Sequence, residues 1–461
     1  MRIVFEGGSD TVTGSRHRIE VNGTAVWRDC GLFQGRRQEA AERNRTFTFP
    51  PQRIAAILLS HAHIDHCGNL PSLARTGFDR PVHATHATCD LCQIMLRDAA
   101  HIQEQDAAYL NQKTNRRGLP PVEPLYTLAD AETALGWLKG HVYHEPFEVA
   151  PGLRAAALDA GHVLGAELTL VEATEHGRTV RVGFALDLGR RNLPLLRDPE
   201  PLPPDLDLLV LESTYGDRFH EDVHTARDRL FHIIRTTLDR GGKVLIPSFA
   251  LERTQEILYH LHVLQAEGRL EPVCTYVDSP MASAITRVFE RHVDLLDDET
   301  CALLRSQGSI FPPWVRFTST VDESKQITAS NSPCIVIAAS GMCEHGRILH
   351  HLKHGIERPE NSILIVGFQA VHTLGRRLVD GERRVRVFGD WFQVRAEVHV
   401  LQAFSAHADQ KDLVEYARAV RPRRIALVHG ESPARERLAT RLEEVSDAKV
   451  WMPSPGDTIE L

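Results

Sequence analysis

The sequence predicts an α/β protein of two domains, and three observations support this. The chain has 461 residues, more than one ordinary hydrophobic core requires. After residue 212, buried strands alternate with helices, a pattern typical of a parallel sheet covered by helices on both faces. Before residue 60 and again from about 385, short strands separated by turns indicate a different organisation.

In the first half of the chain the pattern changes several times. Residues 1–60 are predicted as short strands, and the apolar segment 55–60 is predicted as a buried strand. Residues 67–145 are predicted to be mainly helical, and strands return at about 153–186. The proline-rich segment 193–205 is predicted to be a connector, after which the alternation of strand and helix begins.

In the second half, apolar runs of strand length are each followed by a segment with helical spacing. The predicted strands are 243–247, 273–277, 334–338 and 363–367. The predicted helices are 223–239, one from about 251, one from about 281, 345–354 and 371–379. Gly241 and Gly242 follow the first of these helices and are suited to end it.

Composition excludes several classes of protein. Hydrophobic residues make up 42% and charged residues 25% of the chain, as in soluble globular proteins. No apolar run approaches the roughly 18 residues of a membrane span. The N-terminal segment has no signal-peptide pattern and the eight cysteines are scattered, so we expect a reduced, cytoplasmic setting. The net charge of −8 is unlike that of a general nucleic-acid binder, although a cleft that carries metal cations needs less basic surface.

The strongest signal for chemistry directly follows the predicted strand 55–60. His61, His63, Asp65 and His66 lie within six residues. Imidazole nitrogen is a preferred zinc donor, and a carboxylate adds an oxygen donor. Four donors on a loop that leaves a rigid strand can serve two metal ions.

Further donors stand at the ends of other predicted strands. Asp187 and His429 each end an apolar run, Asp29 ends another, and His162 lies in a glycine-bounded loop. Any one of these histidines alone would be interpreted as a core or surface residue. The combination indicates a site for two metal ions.

These motifs together resemble the β-CASP branch of the metallo-β-lactamase superfamily, over essentially the whole chain. That branch includes the mRNA 3′-end cleavage endonuclease and its bacterial and archaeal ribonuclease relatives. The motifs that carry the resemblance are 12–15, 29–35, 61–66, 159–165, 187, 212–216, 247–250, 278–282, 339–342, 404–409 and 427–431. The resemblance implies a metallo-β-lactamase αββα sandwich formed by 1–216 and 401–461, with an inserted β-CASP domain at 217–400.

Carried over residue by residue, the resemblance implies two Zn²⁺ ions per chain. The ions would be held by the sets His61, His63 and His162, and Asp65, His66 and His429. Asp187 would bridge both ions, and Asp29 would orient a ligand. Glu212 and His407 would form an additional pair that handles protons.

The function that the resemblance implies is a zinc-dependent ribonuclease for RNA processing or decay, acting on single-stranded RNA. A water held between the two ions would become hydroxide and attack phosphorus. Asp65 would accept its proton, and His407 with Glu212 would protonate the leaving sugar oxygen to give a 5′-phosphate and a 3′-hydroxyl. His429 favours RNA, because DNA-acting relatives usually carry an apolar residue at the matching position.

Several alternatives stay open from the sequence. The runner-up function is a DNA-processing β-CASP nuclease or another metallo-hydrolase, and a non-catalytic RNA-binding scaffold ranks last because all seven metal ligands are present. Endonucleolytic and exonucleolytic cutting are both compatible with the motifs. The oligomeric state is open, with a homodimer as one alternative.

Substrate contacts are predicted at turns that follow the strands of the inserted domain. Ser248, Ser340 and Gly341 lie at such turns, and Arg253 and Arg347 follow closely, so these residues are candidates for binding phosphates. The equal alternative is that they are helix caps and solvated arginines.

A few positions depart from the family's pattern or carry aromatic rings. Leu186 stands where glycine is usual before the bridging aspartate, and His345 and His372 stand where small residues are commoner, with roles the sequence leaves open. Tyr215 and Trp391 could each stack on a base, but we expect core packing for both. The arginine-rich segment 376–395 is interspersed with acids and is predicted to be a solvated face.

Overall fold

The computed structural model of the protein describes residues 1–35, 37–114, 121–367, 369–370 and 372–461. The chain divides into two compact units. Unit 1 consists of Met1–Arg191, Asp198–Phe219 and His407–Leu461, and unit 2 consists of Asn192–Arg197 and His220–Ala406. These breaks fall a few residues after the predicted limits 216/217 and 400/401, and the short segment 192–197 was not expected in unit 2. The domain limits themselves stay a prediction.

Among the described residues, unit 1 contains two seven-stranded sheets. The first has the order β22-β1-β2-β3-β4-β5-β6, with β1 (Arg2–Gly7), β2 (Arg16–Val21), β3 (Thr24–Arg28), β4 (Ile54–Leu58), β5 (Val82–Thr85), β6 (Leu138–His141) and β22 (Thr458–Glu460). The second has the order β21-β20-β11-β10-β9-β8-β7, with β7 (Phe147–Ala150), β8 (Leu153–Asp159), β9 (Glu167–Glu175), β10 (Arg178–Ala185), β11 (Leu208–Glu212), β20 (Arg424–Val428) and β21 (Lys449–Trp451).

The hydrophobic core of unit 1 is built from alternate residues of both sheets. Phe5 and Ile19 of the first sheet belong to the same buried cluster as Val182, Phe184 and Val210 of the second. Each of these side chains is fully buried. Period-two alternation in the strands therefore places one face of each sheet in a shared core.

The direction of neighbouring strands decides where the polar strand ends meet. In the second sheet β10, β11 and β20 are parallel neighbours, so their carboxyl ends lie at one edge. Asp187, Glu212 and His429 stand at those ends. In the first sheet β3 and β4 are also parallel, so Asp29 and His61 follow adjacent strand ends.

The described residues of unit 1 form several α-helices, two of which begin at a side-chain cap. They are α1 (Arg37–Arg45), α2 (Ile64–Cys67), α3 (His86–Thr114), α4 (Leu128–Leu135), α12 (Gln410–Val420) and α13 (Ser432–Val445). Thr127 and Asp130 form a reciprocal capping box at the start of α4, and Asp409 caps α12 through two backbone amides. The segment 67–145 is mainly helical as predicted, but it also contains β5 and β6, whose four-residue runs are too short to give a strand pattern.

Unit 2 contains a six-stranded parallel sheet among its described residues, which confirms the predicted α/β class. Its order is β14-β13-β15-β12-β16-β19, with β12 (Lys243–Pro247), β13 (Thr275–Val277), β14 (Val315–Phe317), β15 (Cys334–Ala338), β16 (Ser362–Ile365) and β19 (Glu397–Val400). A separate antiparallel hairpin is formed by β17 (Arg384–Val387) and β18 (Asp390–Gln393). β12 and β15 span the predicted residues, because continuous apolar runs mark strands buried on both faces.

The helices of unit 2 follow the strands in alternation. They are α5 (Val223–Asp239), α6 (Arg253–Ala266), α7 (Pro280–Arg291), α8 (Asp298–Gln307), α9 (Val321–Ala329), α10 (Ile348–Gly355) and α11 (Leu374–Val379). Side chains of Asp222, Ser279, Asp297 and Thr320 cap α5, α7, α8 and α9. In the part of the chain that the structure describes, every helix is too short or too polar to cross a membrane.

Candidate metal centre

The strand ends of unit 1 bring all the predicted metal ligands to one place. Donor atoms of His61, His63, His162 and Asp187 lie within 4.8 Å of one another, and so do those of Asp65, His66 and His429. Residues separated by more than 300 positions in sequence therefore meet in a single cluster. A third set, Asp187, Glu212 and His407, also has donor atoms within 4.8 Å of one another, so the assignment of residues to individual ions stays a prediction.

Asp187 stands between the two groups. Its Oδ2 lies 3.3 Å from Nε2 of His61 and 3.3 Å from Nε2 of His162. Its Oδ1 lies 3.4 Å from Nε2 of His66 and 3.3 Å from Nδ1 of His429. Each oxygen of this carboxylate therefore faces one pair of imidazole rings.

Within the first group, three imidazole rings converge on one another. Nε2 of His61 lies 3.0 Å from Nδ1 of His63, and Nε2 of His162 lies 3.4 Å from the same atom. Burial lowers the pKa of His63 to about 3, and burial also lowers the pKa of His61 and of His162. These rings are therefore neutral near pH 7, which is the form that donates a lone pair to a metal ion.

The second group combines two imidazoles with a carboxylate. Nε2 of His66 lies 3.3 Å from Nε2 of His429, which in turn lies 3.5 Å from Oδ2 of Asp65. Burial disfavours the charged form of His66, but the carboxylates of Asp187 and Asp29 outweigh burial and raise its pKa. A cation bound in this group would oppose that charge and favour the neutral ring.

The donor set fits zinc. Imidazole nitrogen and carboxylate oxygen are the ligands that zinc takes in hydrolase sites. Oδ1 of Asp187 and Nδ1 of His162 are buried atoms with no hydrogen-bond partner among the described residues. A buried carboxylate oxygen without a hydrogen-bond donor is costly in the absence of a cation, and a bound metal ion would compensate it.

Asp29 lies behind the second group and holds one of its rings. Its fully buried carboxylate accepts hydrogen bonds from the amide of Ser60 at 2.7 Å, the Ser60 hydroxyl at 3.0 Å and the Ser15 hydroxyl at 3.1 Å. It also lies 2.7 Å from Nδ1 of His66. Burial raises the pKa of Asp29, but Arg28 and His66 outweigh burial and leave it well below its usual range. The ionised carboxylate fixes the ring of His66 with Nε2 directed at the cluster.

Glu212 and His407 form a pair beside the first group. Nδ1 of His407 lies 3.0 Å from Oε1 and 3.2 Å from Oε2 of the fully buried Glu212. Burial lowers the pKa of His407, but the Glu212 carboxylate outweighs burial and raises it to about 9. The ring centroid of His407 is 4.5 Å from that of His162, so this pair lies directly against the first group.

Comparison with known proteins agrees with the fold and with a zinc-dependent hydrolase. Residues 19–152 match the metallo-β-lactamase superfamily, 254–378 the Beta-Casp domain, and 391–453 the Zn-dependent metallo-hydrolase RNA specificity domain. A ribonuclease of Thermus thermophilus is 39% identical over 97% of this chain and 98% of its own length. The chain belongs to the β-CASP branch of the metallo-β-lactamase superfamily. The predicted family and its inserted domain are thereby confirmed.

Two other relatives of this β-CASP protein come from Methanocaldococcus jannaschii. The transcription termination factor FttA is 28% identical and matches 100% of this chain and 72% of its own length. An RNase J-like protein is 27% identical over 93% of this chain and 92% of its own length. A crystal structure of a protein of unknown function from Enterococcus faecalis matches 100% of this chain and 99% of its own, with a TM-score of 0.51 and 13% identity, and supports the fold alone.

Sequence reasoning did not identify some residues that support the cluster. The Ser60 hydroxyl lies 2.9 Å from Nδ1 of His61 and 3.0 Å from Nδ1 of His66, and the Thr214 hydroxyl lies 3.1 Å from Nδ1 of His429. A polar residue at the end of the apolar run 55–60 was the available signal for Ser60. The position of Thr214 beside Glu212 was the signal for Thr214.

The residues that depart from the β-CASP pattern lie in different surroundings. Leu186 is buried in the core of unit 1, and the next residue, Asp187, still faces the four imidazoles. The Leu186 side chain is thus accommodated by packing in the core. His345 and His372 are both exposed in unit 2, and their roles stay open.

The predicted phosphate contacts of unit 2 have partners within that unit. Arg253 is buried against Glu256, and Arg347 donates to Oδ1 of Asp278 at 2.6 Å and to the Ser319 carbonyl at 2.9 Å. Neither side chain is the solvated arginine that was expected under the alternative to phosphate binding. Their role towards phosphate stays a prediction.

The two serines and the glycine that are predicted to bind phosphate also have hydrogen-bond partners within unit 2. The Ser340 hydroxyl accepts the amide of Glu344 at 3.1 Å, and the Ser248 hydroxyl donates to the Phe249 carbonyl at 3.1 Å. The Gly341 carbonyl accepts a hydrogen bond from Nε2 of Gln369 at 2.9 Å. The role of these three residues in binding phosphate also stays a prediction.

Replacing Gly31 should disturb the cluster without removing a ligand. A Cβ at Gly31 would stand 1.6 Å from the Asp65 carbonyl oxygen and 2.8 Å from the Ser15 amide. We expect Gly31→Ala to lower the free energy of unfolding by about 1–3 kcal/mol and to reduce bound metal, because the backbone of Asp65 must move. Denaturant unfolding and elemental analysis measure both effects.

Gly136→Ala is the matched control. Gly136 has a right-handed helical φ of −66°, and its nearest atom would be the Thr133 carbonyl oxygen at 3.2 Å. We expect a change within about 0.5 kcal/mol. Wild-type stability and metal content in Gly31→Ala would contradict the proposed close packing around Asp65.

Proposed function

We propose that the chain is a zinc-dependent ribonuclease that hydrolyses phosphodiester bonds of single-stranded RNA. The observation that carries the proposal is the Asp187 carboxylate, whose two oxygens each face a separate pair of imidazoles. A carboxylate shared in this way is suited to two metal ions about 3.5–4 Å apart, the spacing used in phosphodiester hydrolysis. The names of the relatives, a ribonuclease and an RNase J-like protein, favour RNA as the substrate.

The proposal assigns two zinc ions to the two groups of donors. The ligand sets would be His61, His63 and His162, and Asp65, His66 and His429, with Asp187 shared. Zinc bound there would polarise a phosphoryl oxygen and lower the pKa of an attacking water. Asp29 would keep His66 in the tautomer that presents Nε2.

Asp65 is suited to accept a proton from the nucleophile. Its side chain is 22% exposed, whereas that of Asp187 is 2% exposed, so substrate and water can reach Asp65. Burial raises the pKa of Asp65, but His429 and His66 outweigh burial and lower it, so the carboxylate is ionised. A base within reach of the attacking water is required for in-line hydrolysis.

His407 is suited to protonate the leaving sugar oxygen. Because Nδ1 is directed at Glu212, proton transfer to the substrate would use Nε2. Glu212 is itself held by the amide of Leu188, which donates to Oε1 at 2.7 Å. The buried carboxylate would orient the ring and stabilise its charged form before the transfer.

Two finer expectations stay predictions. One is the homodimer, which light scattering of the purified protein can test. The other is the cytoplasmic setting expected from the sequence.

The first test is the metal count. We expect about two zinc ions per chain in protein purified without chelator, and one or none in Asp187→Ala, because both ions would share this ligand. Asp79→Ala, which changes an aspartate whose side chain is 76% exposed, should keep both ions. A single tightly bound ion in the wild type, measured by elemental analysis, would refute the two-ion assignment.

The second test compares substrates. Wild-type protein should cleave an end-labelled single-stranded RNA faster than the DNA of the same sequence, since the 2′-hydroxyl distinguishes the two. Asp65→Ala should abolish cleavage and leave the fold intact. Addition of a chelator should also abolish cleavage. Equal rates on the two oligonucleotides would favour the DNA-processing alternative, and near wild-type activity in folded Asp65→Ala would place the chemistry elsewhere.

The third test concerns His407. We expect His407→Ala to retain both zinc ions and RNA binding, but to cleave roughly 10²–10⁴ times more slowly, as expected for loss of a general acid. On a substrate with a phosphorothiolate leaving group, which needs no protonation, the variant should recover most of its rate. His101→Ala, on the exposed side of α3, is the control and should behave like the wild type. Equal impairment on both substrates, or loss of zinc, would make His407 a structural residue or a ligand.

A further inference from the structure

The β17–β18 hairpin of unit 2 has one face on the core and one face in solvent. Val385 and Val387 are buried in the hydrophobic cluster of unit 2, and Phe392 packs against it. The pairing register sets Arg386 opposite Trp391 and Arg384 opposite Gln393. Because side chains alternate along a strand, these four residues share the outer face. The buried valines anchor that face.

Trp391 is an exposed ring flanked by two cations. Its side chain is 45% exposed, so the expectation of core packing for Trp391 was wrong. The guanidinium carbons of Arg384 and Arg386 lie 4.9 Å and 4.7 Å from the ring centroid. The pairing register places Trp391 opposite Arg386 on the solvent side of the hairpin.

The two arginines have no ion-pair partner in the described parts of the chain. The acids nearest in sequence are paired with other cations. Glu382 pairs with Arg377, Asp380 with Arg376, and Asp390 with Lys353 at 3.8 Å. In a chain with a net charge of −8, this face is therefore locally cationic.

A second aromatic residue stands at the tip of the hairpin. Phe388 and Gly389 occupy the turn with φ of 51° and 89°, as a two-residue hairpin turn requires. The left-handed region is unfavourable for a bulky residue such as Phe388, whose side chain is nevertheless 52% exposed. The ring packs on His350, with centroids 4.7 Å apart, and its remaining surface is open to another molecule.

We propose that this face, defined by Arg384, Arg386, Phe388 and Trp391, binds single-stranded RNA. Bases would stack on the Trp391 and Phe388 rings, and the arginines would contact the adjacent phosphates. The proposal rests on the proposed function, since it names a site for the same substrate. Aromatic rings separated by unpaired guanidinium groups suit a polyanion with stacking bases better than an apolar protein surface.

The experiment is a fluorescence-anisotropy titration of the zinc-loaded protein with a labelled, unstructured 20-nucleotide RNA, carried out in the His407→Ala background so that cleavage is slow. Trp391→Ala should weaken binding roughly 5- to 100-fold, the range expected for one stacked base, while Trp391→Phe should keep most of the affinity. Repeated at several salt concentrations, the double variant Arg384→Ser/Arg386→Ser should lower the slope of log K against log salt by roughly 1.4, or 0.7 for each phosphate contact.

Arg316 and Phe317 of β14 provide matched controls in the same unit. Both are exposed, with Phe317 at 41%, but as strand neighbours they point to opposite sides and form no shared face. Arg316→Ser and Phe317→Ala should therefore bind RNA with close to wild-type affinity. Thermal melting of each variant checks folding, and the exposed arginine variant remains informative if Trp391→Ala is unstable.

The outcomes separate the two proposals. Unchanged affinity in Trp391→Ala together with an unchanged salt slope in the double arginine variant would overturn the RNA-binding face, even if the wild type cleaves RNA. Binding that depends on Trp391 in a protein that never cleaves RNA would overturn only the proposed function. If Trp391→Ala alters the mass measured by light scattering and leaves RNA affinity unchanged, the face binds protein and the proposal is wrong.

Discussion

The carboxylate of Asp187 faces four imidazole rings, two at each oxygen, and much of unit 1 serves to hold that arrangement. A buried carboxylate with an orphaned oxygen is stable only when cations or ordered donors surround it. The parallel neighbours β10, β11 and β20 place Asp187, Glu212 and His429 at one edge, and the shared core fixes that edge against the ends of β3 and β4. A rigid sandwich is thus what makes the donor geometry possible.

Around this carboxylate, a layer of hydrogen bonds sets the direction of each ring. Asp29 and Ser60 bind the Nδ1 atoms of His66 and His61, and Thr214 contacts Nδ1 of His429. Because a ring nitrogen that is engaged on one side presents its other nitrogen to the metal, these contacts select the tautomers. Close packing adds to this constraint, since a side chain at Gly31 would collide with the backbone of Asp65.

Charged side chains of unit 2 lie in two different kinds of surroundings. Inside the unit, Arg347 donates to the buried Asp278, and Nε2 of His351 lies 2.7 Å from the same carboxylate, so the charge of Asp278 is compensated within the fold. On the β17–β18 hairpin, Arg384 and Arg386 lie over the Trp391 ring and have no ion-pair partner among the described residues. The first arrangement stabilises the unit, because a buried carboxylate needs such partners. The second leaves positive charge at the surface, where it can meet a ligand.

The sequence by itself determined the fold class, the family and the identity of the metal-binding candidates, because these depend on local patterns. Buried runs such as 243–247 mark strands, and four donors within six residues at 61–66 mark a metal site. Only the tertiary structure decided that Ser60 and Thr214 orient the imidazoles around Asp187 and that Trp391 is exposed. The reason is physical: strand pairing brings distant residues together and selects the face of each side chain, and neither is encoded within a short window of sequence.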